Sequence, residues 1–201
     1  MARYLLFNKP YWVLTSFTDP DAERGERAET RATLGDYIDV PNVYAAGRLD
    51  YDSEGLLLLT DDGELAHRLT HPRYKLPKRY WVQVEGMPTE PDFAPIRRGE
   101  LTIKKRRVAP AEVRLLDPAP AVWPRVPPIR ERATIPDTWI ELTLREGKKR
   151  QVRRMTAATG FPTLRLVRVA IGPLELGELA HGAWRDLSAA ELQRLRTALG
   201  L

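Results

Sequence analysis

The segment Gly47-Arg48-Leu49-Asp50-Tyr51-Asp52-Ser53-Glu54-Gly55 places three carboxylates and two glycines in nine residues, directly ahead of the aliphatic run Leu56 to Leu59. Glycines permit a tight loop, and a loop seated on a buried strand is a usual place for a catalytic acid. Asp50 and Asp52 are two residues apart, so an extended backbone would put both on one side. Spacing leaves open which of them acts. It leaves open equally that these acids only shape the turn by accepting hydrogen bonds from local backbone amides.

Other chemistries are less well supplied. His67 and His71 stand one helical turn apart near Asp61 and Asp62, but the HExxH arrangement is absent and Pro72 ends the helix, so no metal site is expected. Without a single cysteine the chain has no thiol nucleophile or thiolate zinc site, and nothing in it asks for an oxidising compartment. Neither Ser16, Ser53 nor Ser188 sits in a nucleophile elbow.

With 201 residues, 43% of them hydrophobic and 29% charged, the chain reads as a soluble globular protein of one medium domain or two small ones. The opening MARYLLFNKP is too short and too polar for a signal peptide, and Leu56 to Leu59 cannot span a bilayer. A cytoplasmic protein without membrane contact is expected. The net charge of +5 conceals a polarised distribution. Arg97 to Arg107 holds six basic residues against Glu100, and Arg145 to Arg154 holds six against Glu146, which leaves the remaining chain net acidic. Two such runs fit a protein that offers phosphates a basic surface, although a charge run is often only a solvated face.

The elements that must position these residues follow an α+β order without internal repeats. Strands are expected at Arg3–Asn8, Tyr11–Phe17, Leu56–Thr60, Tyr80–Glu85, Trp139–Leu144 and Thr163–Ile171. In the fourth, Tyr80, Val82 and Val84 share one face and Trp81, Gln83 and Glu85 the other. Thr18 to Thr33 reads as a mobile polar loop. A short helix is expected at Glu64–Thr70, a basic one at Lys148–Thr159 ended by Gly160, and a last one opened by Ser188 and Glu191 as a capping box, burying Leu192, Leu195 and Leu199. On the basic helix Val152, Met155, Thr156 and Thr159 face inward; Arg153 on the flank can reach a half-buried carboxylate, while Arg150 and Arg154 reach solvent or phosphate. A stretch from about residue 109 to 137 holds seven of the 17 prolines and reads as an ordered insertion loop.

The motif GRLDYDSEGLLLLT resembles the catalytic-aspartate motif of pseudouridine synthases of the RsuA/RluB/RluE/RluF group. Lys9-Pro10, Lys78-Arg79-Tyr80, the run Glu146 to Met155, and Leu166-Val167-Arg168 leading into Ile171-Gly172 follow in the family's order, so the likeness spans nearly the whole chain. Trp123-Pro124-Arg125 and Pro127-Pro128-Ile129-Arg130-Glu131-Arg132 in the insertion belong to it as well. The resemblance implies a single catalytic domain over 1–201, without the small N-terminal S4 domain of many relatives, built on a long, mainly antiparallel sheet flanked by helices and loops. It implies isomerisation of a uridine in large-subunit (23S) rRNA on a flipped-out base, with no cofactor and no metal.

By the same resemblance Asp50 is the nucleophile, Arg153 its cationic partner, and Tyr80 the aromatic residue that stacks on the base and assists proton removal from C5. Arg48, Leu49 and Leu166 would line the pocket, and Lys9, Lys78, Lys148, Lys149, Arg150 and Arg154 would contact RNA. Trp123 and Arg125 are candidates to stack on neighbouring bases. The implied partner is large-subunit rRNA or a ribosome assembly intermediate, bound by a monomer. Taken alone, the residues also fit a non-catalytic rRNA-binding factor, or a metal hydrolase using Asp50, Asp52 and His67.

Overall fold

The computed structural model describes residues 2–26, 29–74, 76–129 and 135–201; Arg130, Glu131 and Arg132 of the insertion lie outside the described residues. In chain order the elements are β1 (Tyr4–Lys9), α1 (Pro20–Glu23), β2 (Tyr44–Ala45), β3 (Glu54–Thr60), α2 (Gly63–Thr70), β4 (Lys78–Glu85), α3 (Ala94–Arg97), β5 (Thr102–Ile103), β6 (Arg106–Arg107), β7 (Glu112–Leu115), β8 (Asp137–Leu144), α4 (Gln151–Ala158), β9 (Thr163–Ile171), β10 (Leu174–Glu175), β11 (Trp184–Asp186) and α5 (Ala189–Leu199). This is the expected α+β class. They form two compact units, Met1–Tyr74 with Gly172–Leu201, and Lys75–Ile171, and each strand pairing within a unit is antiparallel.

In the first unit β1 pairs with β11 on one side and β3 on the other, and β2 adds to β3. The β1–β3 register sets Leu5 opposite Leu59 and Phe7 opposite Leu57, and these four pack with Leu34, Ile38 and Val43 in one core. Leu6 and Leu58 on the other face are also fully buried. A strand buried on both faces needs an unbroken apolar run, which is why Leu56 to Leu59 carries no alternation. Helix α2 opens on the Asp62 carboxylate, which accepts from Leu65 N at 3.0 Å, and α5 on the expected Ser188–Glu191 box. Leu195 and Leu199 of α5 are buried, whereas Leu192 is only half-buried.

Two expectations for this unit fail. Tyr11–Phe17 is no strand, despite its β-rich composition: Trp12 is left-handed at φ 57, which breaks extension, and only Val13 makes a bridge, to Ala32. Thr18 to Thr33 is also more structured than a mobile loop. Asp19 caps α1 and is clasped by Arg31, whose hydrogen bonds hold its carboxyl well below the usual carboxylate range.

In the second unit the strand order is β9-β4-β8-β7. Val82, Val84, Ile140, Leu142 and Leu144 face a core completed by Phe93, Ile96, Val152 and Met155, with Tyr80 packed at its margin. The opposite face is polar: Glu141 accepts from Trp81 Nε1 at 3.3 Å and Arg114 Nε at 3.0 Å. Helix α4 is followed by left-handed Gly160 as expected, but it starts at Gln151 rather than Lys148. Arg150 is left-handed at φ 54, and the Gln151 side chain accepts from Lys148 N, so Lys148 and Lys149 lie on the turn before the helix.

The α5 cap carries a defined pH dependence. Glu191 hydrogen bonds to Arg185 and Ser188, and the Arg185 bonds above all lower its carboxyl from 4.5 to about 2. A depressed carboxyl stabilises the fold above the unfolded value and loses that contribution as pH falls toward the folded one. Glu191→Gln should therefore cost about 1 kcal/mol near neutrality. In thermal unfolding over a pH series, the gap between wild type and variant should close as pH drops from about 4.5 to about 2.

Candidate active site

Asp50 opens a four-residue turn closed by Ser53 N–H donating to Asp50 O at 3.0 Å, a position that suits Asp. Gly47, at φ +92, turns the chain into this segment, where a side chain would be strained. The residues on either side of Asp50 are held by the segment that follows β1. Thr15 Oγ1 donates to Leu49 O at 2.7 Å and accepts from Leu49 N at 3.3 Å. Trp12 N donates to Tyr51 O at 2.9 Å. Leu49 is buried, Asp50 half-buried and Arg48 exposed. Among the described residues of this unit no hydrogen bond occupies the Asp50 carboxylate, so the clamp fixes its backbone and leaves the side chain for chemistry.

The clamp rests on Lys9. Its ammonium, fully buried, donates to Pro10 O at 2.8 Å and Val13 O at 2.7 Å. Lys9 was expected to touch RNA. Burial and these carbonyl bonds make it instead the internal pin of the 10–13 turn, since a buried ammonium needs its protons bonded.

In the second unit Tyr80 is half-buried on the core face of β4 with Leu166 on the adjacent β9. Lys78, two residues before Tyr80, is not a free surface cation. Burial pushes its ammonium below the usual lysine value, and Arg168 adds to the effect. Arg153 of α4 is half-buried, and its guanidinium donates to Thr163 O at 3.4 Å.

The two basic runs meet in this unit. Lys104 and Arg106 from the first, and Lys148, Lys149 and Arg154 from the second, line one groove of 340 Å³ floored by Ile103 and Val108. The first run reaches it as the hairpin β5–β6, whose two turn residues, Lys104 (φ 49) and Lys105 (φ 61), are both left-handed. Such turns normally use Asn-Gly, so the sequence carried no hairpin signal. Lys148 bridges to Glu146 at 2.8 Å, while Lys149 stays exposed.

Three further candidates behave differently from expectation or stand apart. Trp123 already carries the Arg165 guanidinium 5.6 Å from its ring centroid, and Arg125 donates to Pro127 O at 2.9 Å. His67 and His71 are exposed with ring centroids 5.1 Å apart, and among the described residues no group of three or more His, Cys, Asp or Glu is placed to hold a metal. Sequence reasoning missed Thr15, the role of Lys9 and the β5–β6 hairpin; only the isolated Lys-Pro pair hinted at any of them.

The family described as RNA pseudouridylate synthase matches this chain over residues 3–158. The ribosomal large subunit pseudouridine synthase E of Xanthomonas axonopodis pv. citri (strain 306) is 57% identical over 176 residues, covering 88% of this chain and 89% of that protein. Its namesake in Vibrio parahaemolyticus serotype O3:K6 is 52% identical over 185 residues, covering 92% and 74%. A solved structure described as a pseudouridylate synthase is similar with a TM-score of 0.77 at 31% identity, covering 97% of this chain and 74% of that one. Human RNA pseudouridylate synthase domain containing 1, at 16% identity and a TM-score of 0.54, shares the fold.

The Thr15 clamp is open to direct measurement. Thr15→Val removes both hydrogen bonds to Leu49, which should lower stability by about 1–2 kcal/mol. The Leu49 amide should exchange with solvent about tenfold faster or more, and Thr15→Ser should restore protection.

Proposed function

The chain belongs to the RNA pseudouridylate synthase family and isomerises uridine to pseudouridine in RNA, and from that premise we propose that its substrate is a uridine of large-subunit rRNA, with Asp50 as nucleophile. The rRNA assignment rests on the relatives named for the large ribosomal subunit. The observation that carries the assignment of Asp50 is the double clamp, which fixes Leu49 and Tyr51 while the carboxylate between them is left unengaged in its own unit. Asp52 has no equivalent: the 10–15 segment holds Tyr51 on one side of it, but not Ser53 on the other.

Pseudouridine formation breaks the bond between ribose C1′ and N1, turns the uracil, joins C5 to C1′, and replaces the proton lost from C5 by one gained at N1. The sum is an isomerisation, so no electrons enter or leave. The target base leaves its stack to reach the carboxylate. Asp50 attacks C1′ and displaces N1, carries the sugar while the base turns, and is released when C5 attacks C1′. Arg153 supplies the positive charge that favours the ionised Asp50. Tyr80 stacks on the base and assists loss of the C5 proton, Leu166 gives an apolar wall, and Arg48 and Leu49 shape the entry. Lys104, Arg106, Lys149 and Arg154, with Arg150 and Lys148 beside them, hold the RNA backbone. Lys9 is fully buried, so it takes no part in holding phosphate, whereas half-buried Lys78 keeps a place at the edge of the RNA contacts. The enzyme works as a cytoplasmic monomer on rRNA or an assembly intermediate.

Asp50→Asn should abolish release of the C5 hydrogen isotope from labelled rRNA, by about 10⁴-fold or more, while RNA binding persists and EDTA leaves the wild-type rate intact. Release that survives in Asp50→Asn refutes the nucleophile. The groove makes a separate prediction. Replacing Lys104-Lys105 by Asn-Gly should stabilise the hairpin yet weaken RNA binding. It should also reduce the slope of log affinity against log salt by about 0.7–0.9 for each phosphate no longer neutralised.

A further inference from the structure

An aromatic cluster beside the Asp50 turn remains without a role in the chemistry above. Trp12 is 47% exposed, a large indole turned toward solvent, and it is left-handed at φ 57, a conformation rare for a bulky side chain. Its ring stacks on Tyr11 at 5.2 Å between centroids, and it lies within 5° of parallel to Tyr51 at 6.4 Å. The Arg31 guanidinium sits 5.8 Å from the Tyr51 centroid. The Trp12 N–H bond to Tyr51 O ties this cluster to the residue that follows Asp50.

We propose that Trp12, backed by Tyr11 and Tyr51, is a stacking platform for a nucleobase of the RNA strand flanking the uridine at Asp50. This rests on the pseudouridine synthase reading and deepens it by naming where a neighbouring base is held. A strand whose uridine is flipped onto Asp50 must lay adjacent nucleotides within reach of Tyr51, one residue along. The cluster offers what an unpaired base takes, a flat π surface, with the Arg31 guanidinium, itself paired with Asp19 and Asp21, over the Tyr51 ring. Strain makes the same point. The indole is held outward in a left-handed backbone although glycine would fit that geometry freely, and burial of the indole does not offset the strain. The Arg31 bonds to Asp19 hold its guanidinium over the Tyr51 ring.

The test uses the full chain and an in vitro transcript of large-subunit rRNA, with Trp12→Gly and Trp12→Phe. For Trp12→Gly, Kd and KM for the transcript should rise about 5- to 150-fold, the equivalent of ~1–3 kcal/mol for one stacked base. Tm should stay level or rise, because glycine accepts the left-handed backbone. Trp12→Phe should recover most of the affinity. Unchanged Kd and KM in Trp12→Gly overturn the platform, as does an affinity loss that accompanies a lower Tm and that Trp12→Phe fails to rescue. Wild-type controls separate the two readings. Trp12-dependent binding without isotope release leaves the platform standing and removes the isomerase, whereas isotope release that all variants match does the reverse.

Discussion

The buried ammonium of Lys9 is the constraint from which the site in the first unit is built. Lys9 ends β1 directly opposite Gly55 of β3, the strand into which the Asp50 loop feeds. Its bonds to Pro10 O and Val13 O curl the chain immediately after the strand. That curl delivers Trp12 to Tyr51 and Thr15 to Leu49, so one cation organises both hands of the clamp on Asp50. An ammonium in a fully buried position must replace its lost water, and two carbonyl oxygens do so here. A norleucine-like side chain could fill the space but would leave Pro10 O and Val13 O unsatisfied, at about 1–3 kcal/mol for each buried acceptor. The turn would then lose its reason to hold its shape. The leucines of β3 give the clamp something rigid to act against, because each is fully buried and anchors the strand on both faces.

Electrostatics organise the second unit in a complementary way. The net +5 of the chain gives little hint of a polyanionic partner, yet two runs far apart in sequence close on one groove. Their carboxylates do not cancel the effect. Glu146 takes up Lys148, and Glu100 faces Arg98 at 3.9 Å, neither carboxylate lining the groove. What remains at the groove is Lys104, Arg106, Lys149 and Arg154 over an apolar floor. On the other face of the sheet, Glu141 gathers Arg114, Arg79 and the Trp81 indole, which uses those charges within the protein. Position rather than total charge separates the cations that hold the fold from those available to phosphate.

Much of this was legible in the sequence because it follows periodicity. The alternation of β4 and β8, the apolar run of β3, the Ser188–Glu191 box and the glycine stop of α4 are all local patterns, and each appears where the pattern puts it. The failures share a cause. Tyr11–Phe17 has the composition of a strand, but its conformation is set by a lysine side chain acting on carbonyls, which no periodicity reports. Helix α4 loses its first turn because Gln151 captures the Lys148 amide. The double clamp depends on Thr15, a residue 34 positions from Leu49 whose type alone says nothing. The motif around Asp50 stood out, but what distinguishes Asp50 from Asp52 is tertiary hydrogen bonding, so spacing could not choose between them.

Backbone strain marks the same places by a different route. Among the described residues, five that are not glycine adopt positive φ: Trp12, Asn42, Lys104, Lys105 and Arg150. Asn42 needs no special explanation, since asparagine tolerates the left-handed region. The other four are one exposed aromatic and three long cations, residue types for which that conformation costs about 1 kcal/mol or more. Of the four, Trp12, Lys104 and Lys105 are exposed and Arg150 is half-buried. Glycine or asparagine at each would satisfy the turn and stabilise the fold. Their presence is explained if the side chains act on something outside the protein: an indole offers a base a stacking surface, and a lysine or arginine offers a phosphate a charge. The strained positions are thus of the residue types that the proposed RNA contacts use, an aromatic face in one unit and cations in the other, of which Lys104 lines the groove.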